Sequence, residues 1–418
     1  MKLTIQLGFL SAVNIGISLL FQWYVFVKLG PGVETDALFA GMTVPQLVLA
    51  VISGSLMHVL VPLLAGEDED SLRQNAWGFL VLIGGLFGLI ALLLYAAAPW
   101  WVPLTVPGFD LAGRSLTVDL TRIQLIGMVF TAVNGVQLAA YHARHRFLLV
   151  EFTPILVSIT AFLLLVWALP RFGVIAAAWI ATLRMGMQTI LLAPGMGLPT
   201  LPDLKSATIQ QAWQRIKPLL LGTAYYKTDT LVDRFLLSTA QSGSLSLYYL
   251  AQQIYGAISQ ILNKAIATPL VPALSVFHKA GDVINFRRLY YRKLLQVCVI
   301  SFAGLLILWI FGQEMLSILI GYGNTKYNDV EKLWWIMLWL SGMFFGATVG
   351  QIATSAFYAI GNTKTVIYMA VTNYTIYIPV KIIAFSVFGI AGLAISTTIY
   401  LMTNMIFLIY LFQQLKVK

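Results

Sequence analysis

The chain has 418 residues, of which 59% are hydrophobic and 10% charged, with a mean hydropathy of +0.84. A soluble globular chain carries about 25% charged residues, so this composition excludes a soluble enzyme or binding module and predicts an all-α polytopic membrane protein. The net charge of +10 belongs in loops flanking the bilayer rather than on nucleic acid, because no basic stripe alternates with exposed aromatics.

In chain order, apolar runs of about 20 residues or more predict about twelve transmembrane helices. They fall at 5–28, 36–65, 76–98, 117–141, 149–169, 174–194, 218–240, 247–275, 290–311, 333–359, 365–387 and 389–411. The first run is too long for a signal peptide and lacks a small-residue cleavage site, so it is expected to stay as a span. After the second run, "GEDED" (66–70) is an acidic patch with little weight in setting orientation. After the fourth, "HARH" (142–145) places two histidines at i, i+3 beside two arginines, which reads as a loop flanking a helix rather than a metal site. The lone cysteine, Cys298, leaves no intramolecular disulfide and no cysteine-based metal site.

Lys and Arg are unequally shared between the two sets of loops. Lys2, Arg73, Arg144, Arg146, Lys205, Arg215, Lys217, Lys279, Arg287, Arg288, Arg292, Lys293, Lys364, Lys416 and Lys418 fall at the termini and the even-to-odd loops; the opposite loops hold little beyond Arg114, Arg171, Lys326 and Lys332. Both termini are therefore expected in the cytoplasm.

The sequence also repeats itself. "FGVIAAAWIAT" (172–182) matches "FGIAGLAISTT" (388–398), "LVPLL" (60–64) matches "LVPAL" (270–274), and "AAYHA" (139–143) loosely matches "AFYAI" (356–360). The offsets are nearly constant, which predicts a parallel internal repeat of two six-helix lobes with substrate between them. The expected organisation is an N-lobe over 1–200, an amphipathic cytoplasmic linker over 201–217 and a C-lobe over 218–418. In the linker, Ile209, Trp213 and Ile216 recur at helical spacing.

The seventh run contains "AYYKTDTLVDRF" (224–235), which places four charges at membrane depth. On an ideal helix Lys227 and Arg234 fall within about 20° of each other, and Asp229 and Asp233 form a second stripe about 130° away. Leu231, Val232 and Phe235 occupy the remaining arc. The polar side is expected to face protein or a water-filled cavity, since charges in spans are costly against lipid. Arg184 in the sixth run, Lys264 in the eighth and Lys381 in the eleventh add cations. A cationic set suits phosphate or pyrophosphate. Pro45, Pro62, Pro154, Pro269, Pro272 and Pro379 interrupt spans and permit bending. No GxSxG, Walker A or HExxH motif is present, so no enzyme is expected, and any work must come from an ion gradient, the membrane potential or the substrate gradient.

Three segments carry a family resemblance: "GVETDALFAGMTVPQ" within 32–64, "VPGFDLAGRS" within 106–123, and "LVDRFLLSTAQSGSLSLYYL" within 231–275. In this order they resemble the MurJ lipid II flippase family of the multidrug/oligosaccharidyl-lipid/polysaccharide (MOP) exporter superfamily. The resemblance implies alternating access between two lobes, and a monomer that moves an undecaprenyl-pyrophosphate-linked saccharide from the inner to the outer leaflet. Other members of that superfamily move polysaccharide repeat units or export drugs by ion coupling, and these are the alternatives. The family's cavity arginines are not matched here: Leu49 and Ala50, Phe21 and Gln22, and Gln253 stand at their positions. Arg184, Lys227, Lys264 and Lys381 are the expected pyrophosphate ligands. Asp36, Asp229, Asp233 and Arg234 are expected to act in ion pairing or in coupling to Na+ or H+, with no other cofactor.

Overall fold

The computed structural model describes residues 2–65, 67–200, 206, 208–212, 214, 225 and 227–414. The described residues are almost entirely helical. The expected linker residues Trp213 and Ile216, and the first part of the seventh run, lie outside them.

The first span is α1 (Lys2–Leu29). The second is split into α2 (Val33–Gly41) and α3 (Thr43–Leu64). Helices α4 (Glu69–Thr105) and α5 (Leu111–Ala143) follow. The fifth and sixth runs form one assigned helix, α6 (Phe147–Leu192), interrupted at Gly173. After the linker come α7 (Asp229–Ser238) and α8 (Ser244–Leu262), then a π-helical turn (Asn263–Ala267) leading into α9 (Thr268–Lys279). The ninth span is α10 (Val283–Ile320), and the tenth is divided into α11 (Tyr327–Trp339) and α12 (Ser341–Ala359), bent by 42°. The eleventh and twelfth runs are α13 (Thr363–Gln414), interrupted at Gly389.

Helices of 46 and 52 residues would be about 70–80 Å long if straight, more than twice a hydrocarbon core of about 30 Å. Both fold back instead. In α13, Tyr377 Oη lies 2.8 Å from Thr397 Oγ1, and Asn373 Nδ2 donates to Asn404 Oδ1 at 3.2 Å. Tyr377 and Tyr400 stack with centroids 4.4 Å apart. Only an antiparallel hairpin turning at Gly389 brings these pairs together. The same holds for α6, where α1 touches both arms. Ser158 donates to Asn14 at 3.4 Å and Arg184 donates to Ser18 at 3.3 Å. Asn14 and Ser18, only four positions apart on α1, thus face positions 26 residues apart on α6. Gly173 (φ 61, ψ −153) and Gly389 (φ 58, ψ −136) adopt a backbone region that side chains exclude, which is why each turn is a glycine.

The repeat is exact in three further features at an offset of 216. Thr182 Oγ1 donates to Ile123 O at 3.0 Å and Thr398 Oγ1 donates to Trp339 O at 2.6 Å. Gly173 corresponds to Gly389. The turn after α5 carries the same backbone hydrogen bonds as the turn after α12. Two compact units result, residues 1–245 and 246–418. The first has its core around Leu60, Leu64, Phe79, Phe87 and Leu125. The second has its core around Leu270, Leu274, Phe286, Tyr290 and Phe357. The Leu60/Leu64 and Leu270/Leu274 pairs are the matched "LVPLL" and "LVPAL" segments. Helix α7, placed by sequence with the second half, packs on α3 and α4 and belongs to the first unit.

With lipid on the outside, close approach and interhelical hydrogen bonds hold helices together. Gly342, Gly346 and Gly350 form one stripe on α12 against the last arm of α13; a Cβ at Gly346 would sit 2.7 Å from the Leu401 backbone. In the first unit, polar side chains bind the same seam. Asn134 donates to Met185 O at 3.1 Å, Gln137 to Thr189 O at 3.0 Å, and Tyr141 to Leu192 O at 3.0 Å.

Candidate functional site

Within the first unit the loops gather at two opposite ends. At one end, the start of α4, the α5–α6 turn and the linker meet. Every acid of the 67–70 patch is used here. Glu67 accepts from Asn75 at 2.9 and 3.0 Å and from Thr208 at 2.9 Å. Asp68 caps α4 by accepting from Ser71 N–H at 3.2 Å. Glu69 pairs with Arg144 at 2.7 Å, and Asp70 with Arg73 at 2.9 Å. Arg144 also donates to Gly195 O at 2.8 Å. Ile209 and Ala212, among the described linker residues, bury themselves in the core of this unit.

At the other end the three segments that carry the family resemblance come together. The Thr35 hydroxyl accepts from Gly32 N–H at 3.0 Å and donates to Gly30 O at 2.9 Å. This fixes the start of α2 and turns Asp36 inward, where it is 2% exposed. Asp36 Oδ2 accepts the Gly243 N–H at 2.6 Å. Gly243 has φ 87 and lies against Pro31. Gly108, in the α4–α5 loop, donates to Ser238 Oγ at 3.3 Å, and a Cβ there would lie 2.2 Å from Ser238 O. The "TDA", "PGF" and "GS" pieces are thus one docking point that clamps the α7–α8 loop onto α2 and the α4–α5 loop.

The candidate charges occupy four different settings. Asp233 and Arg234, on α7, are buried, while Phe235 faces outward. Lys227 is exposed although it shares an ideal-helix stripe with Arg234. The reason is a tightened turn at Thr228: Thr228 N–H bonds Tyr225 O and Leu231 N–H bonds Thr228 O, so α7 begins only at Asp229. Asp229 is half-buried in the first turn of α7. Lys264 is exposed on the π-helical turn. Lys381 is wholly enclosed in the second unit, its ammonium 4.8 Å from the centroid of the Tyr377 ring. Arg184 is half-buried in the α6 hairpin, and its one described hydrogen bond is to the neutral Ser18 hydroxyl; its Nε is buried without a partner. Among the described residues no cluster could hold a metal ion.

Arg184 belongs to a polar seam that the reading of individual charges passed over. On α1, Ser11, Asn14, Ser18 and Gln22 recur every three to four residues. Ser11 donates to Glu151 Oε2 at 2.6 Å, and Asn14 and Ser18 meet Ser158 and Arg184. The Gln22 carbonyl is buried without a partner. The signal was in the sequence, as four polar residues at helical spacing in an otherwise apolar span.

Repeated helical units, each ending in a glycine-hinged hairpin at an offset of 216, and helices long and apolar enough to cross a membrane define a polytopic membrane protein, and its fold is shared with solved proteins of the MOP superfamily. A solved lipid II flippase MurJ in an inward closed conformation superposes with a TM-score of 0.84 over 99% of this chain and 88% of that one, at 17% identity. An inward-facing multidrug transporter of the MATE family in the MOP superfamily gives 0.75 over 98% and 94%, at 15% identity. The family model for lipid II flippase MurJ matches residues 27–418, and the chain belongs to that family. Curated relatives include a probable lipid II flippase MurJ of Buchnera aphidicola subsp. Acyrthosiphon pisum, 23% identical over 91% of this chain and 77% of the relative. The lipid II flippase MurJ of Burkholderia cenocepacia is 22% identical over 88% and 75%.

Proposed function

We propose that this chain moves lipid II, or a closely related undecaprenyl-pyrophosphate-linked saccharide, from the inner to the outer leaflet of the bacterial cytoplasmic membrane. The family match over residues 27–418 carries the reading. Arg184 supplies its chemistry. A guanidinium at membrane depth, hydrogen-bonded only to a neutral hydroxyl among the described residues, keeps its charge available for an anion, and pyrophosphate matches its planar donor fork. Lys227 in the first unit and Lys264 in the second, both exposed, are further proposed pyrophosphate ligands. Lys381, enclosed against Tyr377, serves the same anion only after a conformational change, so it ranks below them. Asp36, Asp229, Asp233 and Arg234 serve in ion pairing or in coupling transport to Na+ or H+ or to the membrane potential, the coupling falling to the carboxylates because a guanidinium neither releases its proton nor binds a cation, and the protein acts as a monomer.

The test is purified protein in liposomes carrying labelled lipid II, with mass spectrometry of the lipid that co-purifies. Arg184→Gln should weaken binding about tenfold or more, the scale of one charge-assisted hydrogen bond, and Arg184→Lys should retain part of it. Undiminished binding and flipping in Arg184→Gln would remove Arg184 from the site. Absence of any polyprenyl pyrophosphate from the pure protein, with no flipping of lipid II, would overturn the function. Asp229→Asn and Asp233→Asn should each lower transport while leaving the melting temperature unchanged; normal transport in both, across pH and sodium, would exclude coupling through them.

A further inference from the structure

The turn joining α5 to α6 and the turn joining α12 to α13 are the same backbone device, 216 residues apart. Arg146 N–H bonds Tyr141 O at 3.0 Å, as Asn362 N–H bonds Phe357 O at 2.9 Å. His145 N–H bonds His142 O at 3.0 Å, as Gly361 N–H bonds Tyr358 O at 3.0 Å. In the second copy the sequence suits the geometry. Gly361 takes the left-handed position at φ 75, and Asn362 Oδ1 accepts from Thr365 N–H at 3.3 Å and from its hydroxyl at 2.9 Å. In the first copy neither choice is the stable one. His145 stands at φ 57, the only non-glycine with positive φ among the described residues, and Arg146 gives α6 no side-chain cap. Both substitutions cost local stability. The first copy therefore holds an imidazole and a guanidinium where glycine and asparagine would fold better.

Both side chains are exposed, and they open onto a cavity of about 400 Å³ lined by His145, Arg146, Phe147, Leu148 and Leu149. Among the described residues, the neighbouring acids have other partners, Glu69 with Arg144 and Glu151 with the Ser11 hydroxyl. From the cavity an apolar stripe continues along the outer face of α6. Leu148, Phe152, Leu156, Ile159 and Leu163 follow at three- to four-residue spacing, and all are exposed. It is about 22 Å long at 1.5 Å per residue, enough to lie beside a whole acyl chain in a leaflet about 15 Å deep.

We propose that this turn is a binding site for one anionic phospholipid, its phosphate held by Arg146 and His145 and one acyl chain lying along the Leu148–Leu163 stripe. The cationic rim provides charge complementarity, and the stripe selects a lipid over a soluble phosphate.

Native mass spectrometry of the full chain in neutral detergent, titrated with phosphatidylglycerol or phosphatidylcholine, tests it. One phosphatidylglycerol should bind in preference to phosphatidylcholine, and Arg146→Gln should weaken that binding about five- to tenfold, the scale of one basic residue at a lipid phosphate. The double variant His145→Gly with Arg146→Asn copies the second turn into the first. It should raise the melting temperature in lipid-free detergent and still lose the tight phosphatidylglycerol. A turn with only a structural role would gain stability and keep the lipid, which would overturn the proposal. So would equal binding of the two lipids by the unmodified chain, or displacement of phosphatidylglycerol by an equal concentration of glycerol 3-phosphate.

Discussion

Asp36 holds the Gly243 N–H at 2.6 Å in a site almost closed to solvent. A hydrogen bond to a charged group contributes about 1.5–3 kcal/mol, and stranding a buried donor costs about 1–3 kcal/mol. Asp36→Ala should therefore destabilise the protein by about 2 kcal/mol, while Asp36→Asn, which keeps an acceptor oxygen, should lose less; thermal unfolding in detergent orders the two. Gly108→Ala should be at least as damaging, because the new carbon would meet the Ser238 backbone, which cannot rotate away. Two aspartate caps bring a pH dependence. Asp68 is held below the usual carboxylate range by the Ser71 side chain and N–H, and Asp282 by the Asn285 N–H and side chain. A carboxylate with a lowered folded value stabilises above its unfolded pKa of about 3.9 and loses that stabilisation as pH falls through the folded value. Fraying of the first turns of α4 and α10 should thus increase only below about pH 4, and Asp68→Asn should abolish the α4 part while keeping the cap. Amide exchange in 69–73 and 283–287 reads both.

The hairpins in α6 and α13 are decided at the scale of the element. The sequence shows these four apolar runs in the right places, but not that the second of each pair turns back against the first. The single φ-positive glycine between runs sets the fold-back. Gly389→Ala should cost about 1–3 kcal/mol through backbone strain alone, since the space around its Cβ is open. Asn373→Cys with Asn404→Cys, in a Cys298→Ser background, should form a disulfide on mild oxidation, because the native side chains lie 3.2 Å apart. A straight helix would keep them about 46 Å apart. Gly346→Leu should separate α12 from α13 and lower the melting temperature, whereas Gly256→Leu, at a glycine with open space around it, should not. The α1 seam was equally legible as a polar period of three to four. Which helix it faced was not, because the period fixes a face but not the neighbour.

For the whole molecule, orientation follows from Lys and Arg. His145→Cys and Val283→Cys, in the Cys298→Ser background, should be labelled only after the cytoplasmic side is opened; labelling in intact cells would reverse the assignment. The sequence by itself determined the class, the repeat and the apolar runs that form long helices among the described residues. These depend on hydropathy over about 20 residues and on local backbone rules such as glycine at a left-handed turn, all of which are written within one segment. Family membership was legible in the "TDA", "PGF" and "GS" pieces, but not what they do. Only the folded chain shows that segments 200 residues apart meet in one contact between Asp36 and Gly243. The candidate charges divided along the same line. Their place within apolar runs was legible, but whether a cation is exposed like Lys227, lies against a ring like Lys381, or meets a neutral hydroxyl like Arg184 depends on which helices pack beside it. That choice is made by close approach of small residues and interhelical hydrogen bonds, each contributing only about 0.6 kcal/mol, and it is settled only when the helices have assembled.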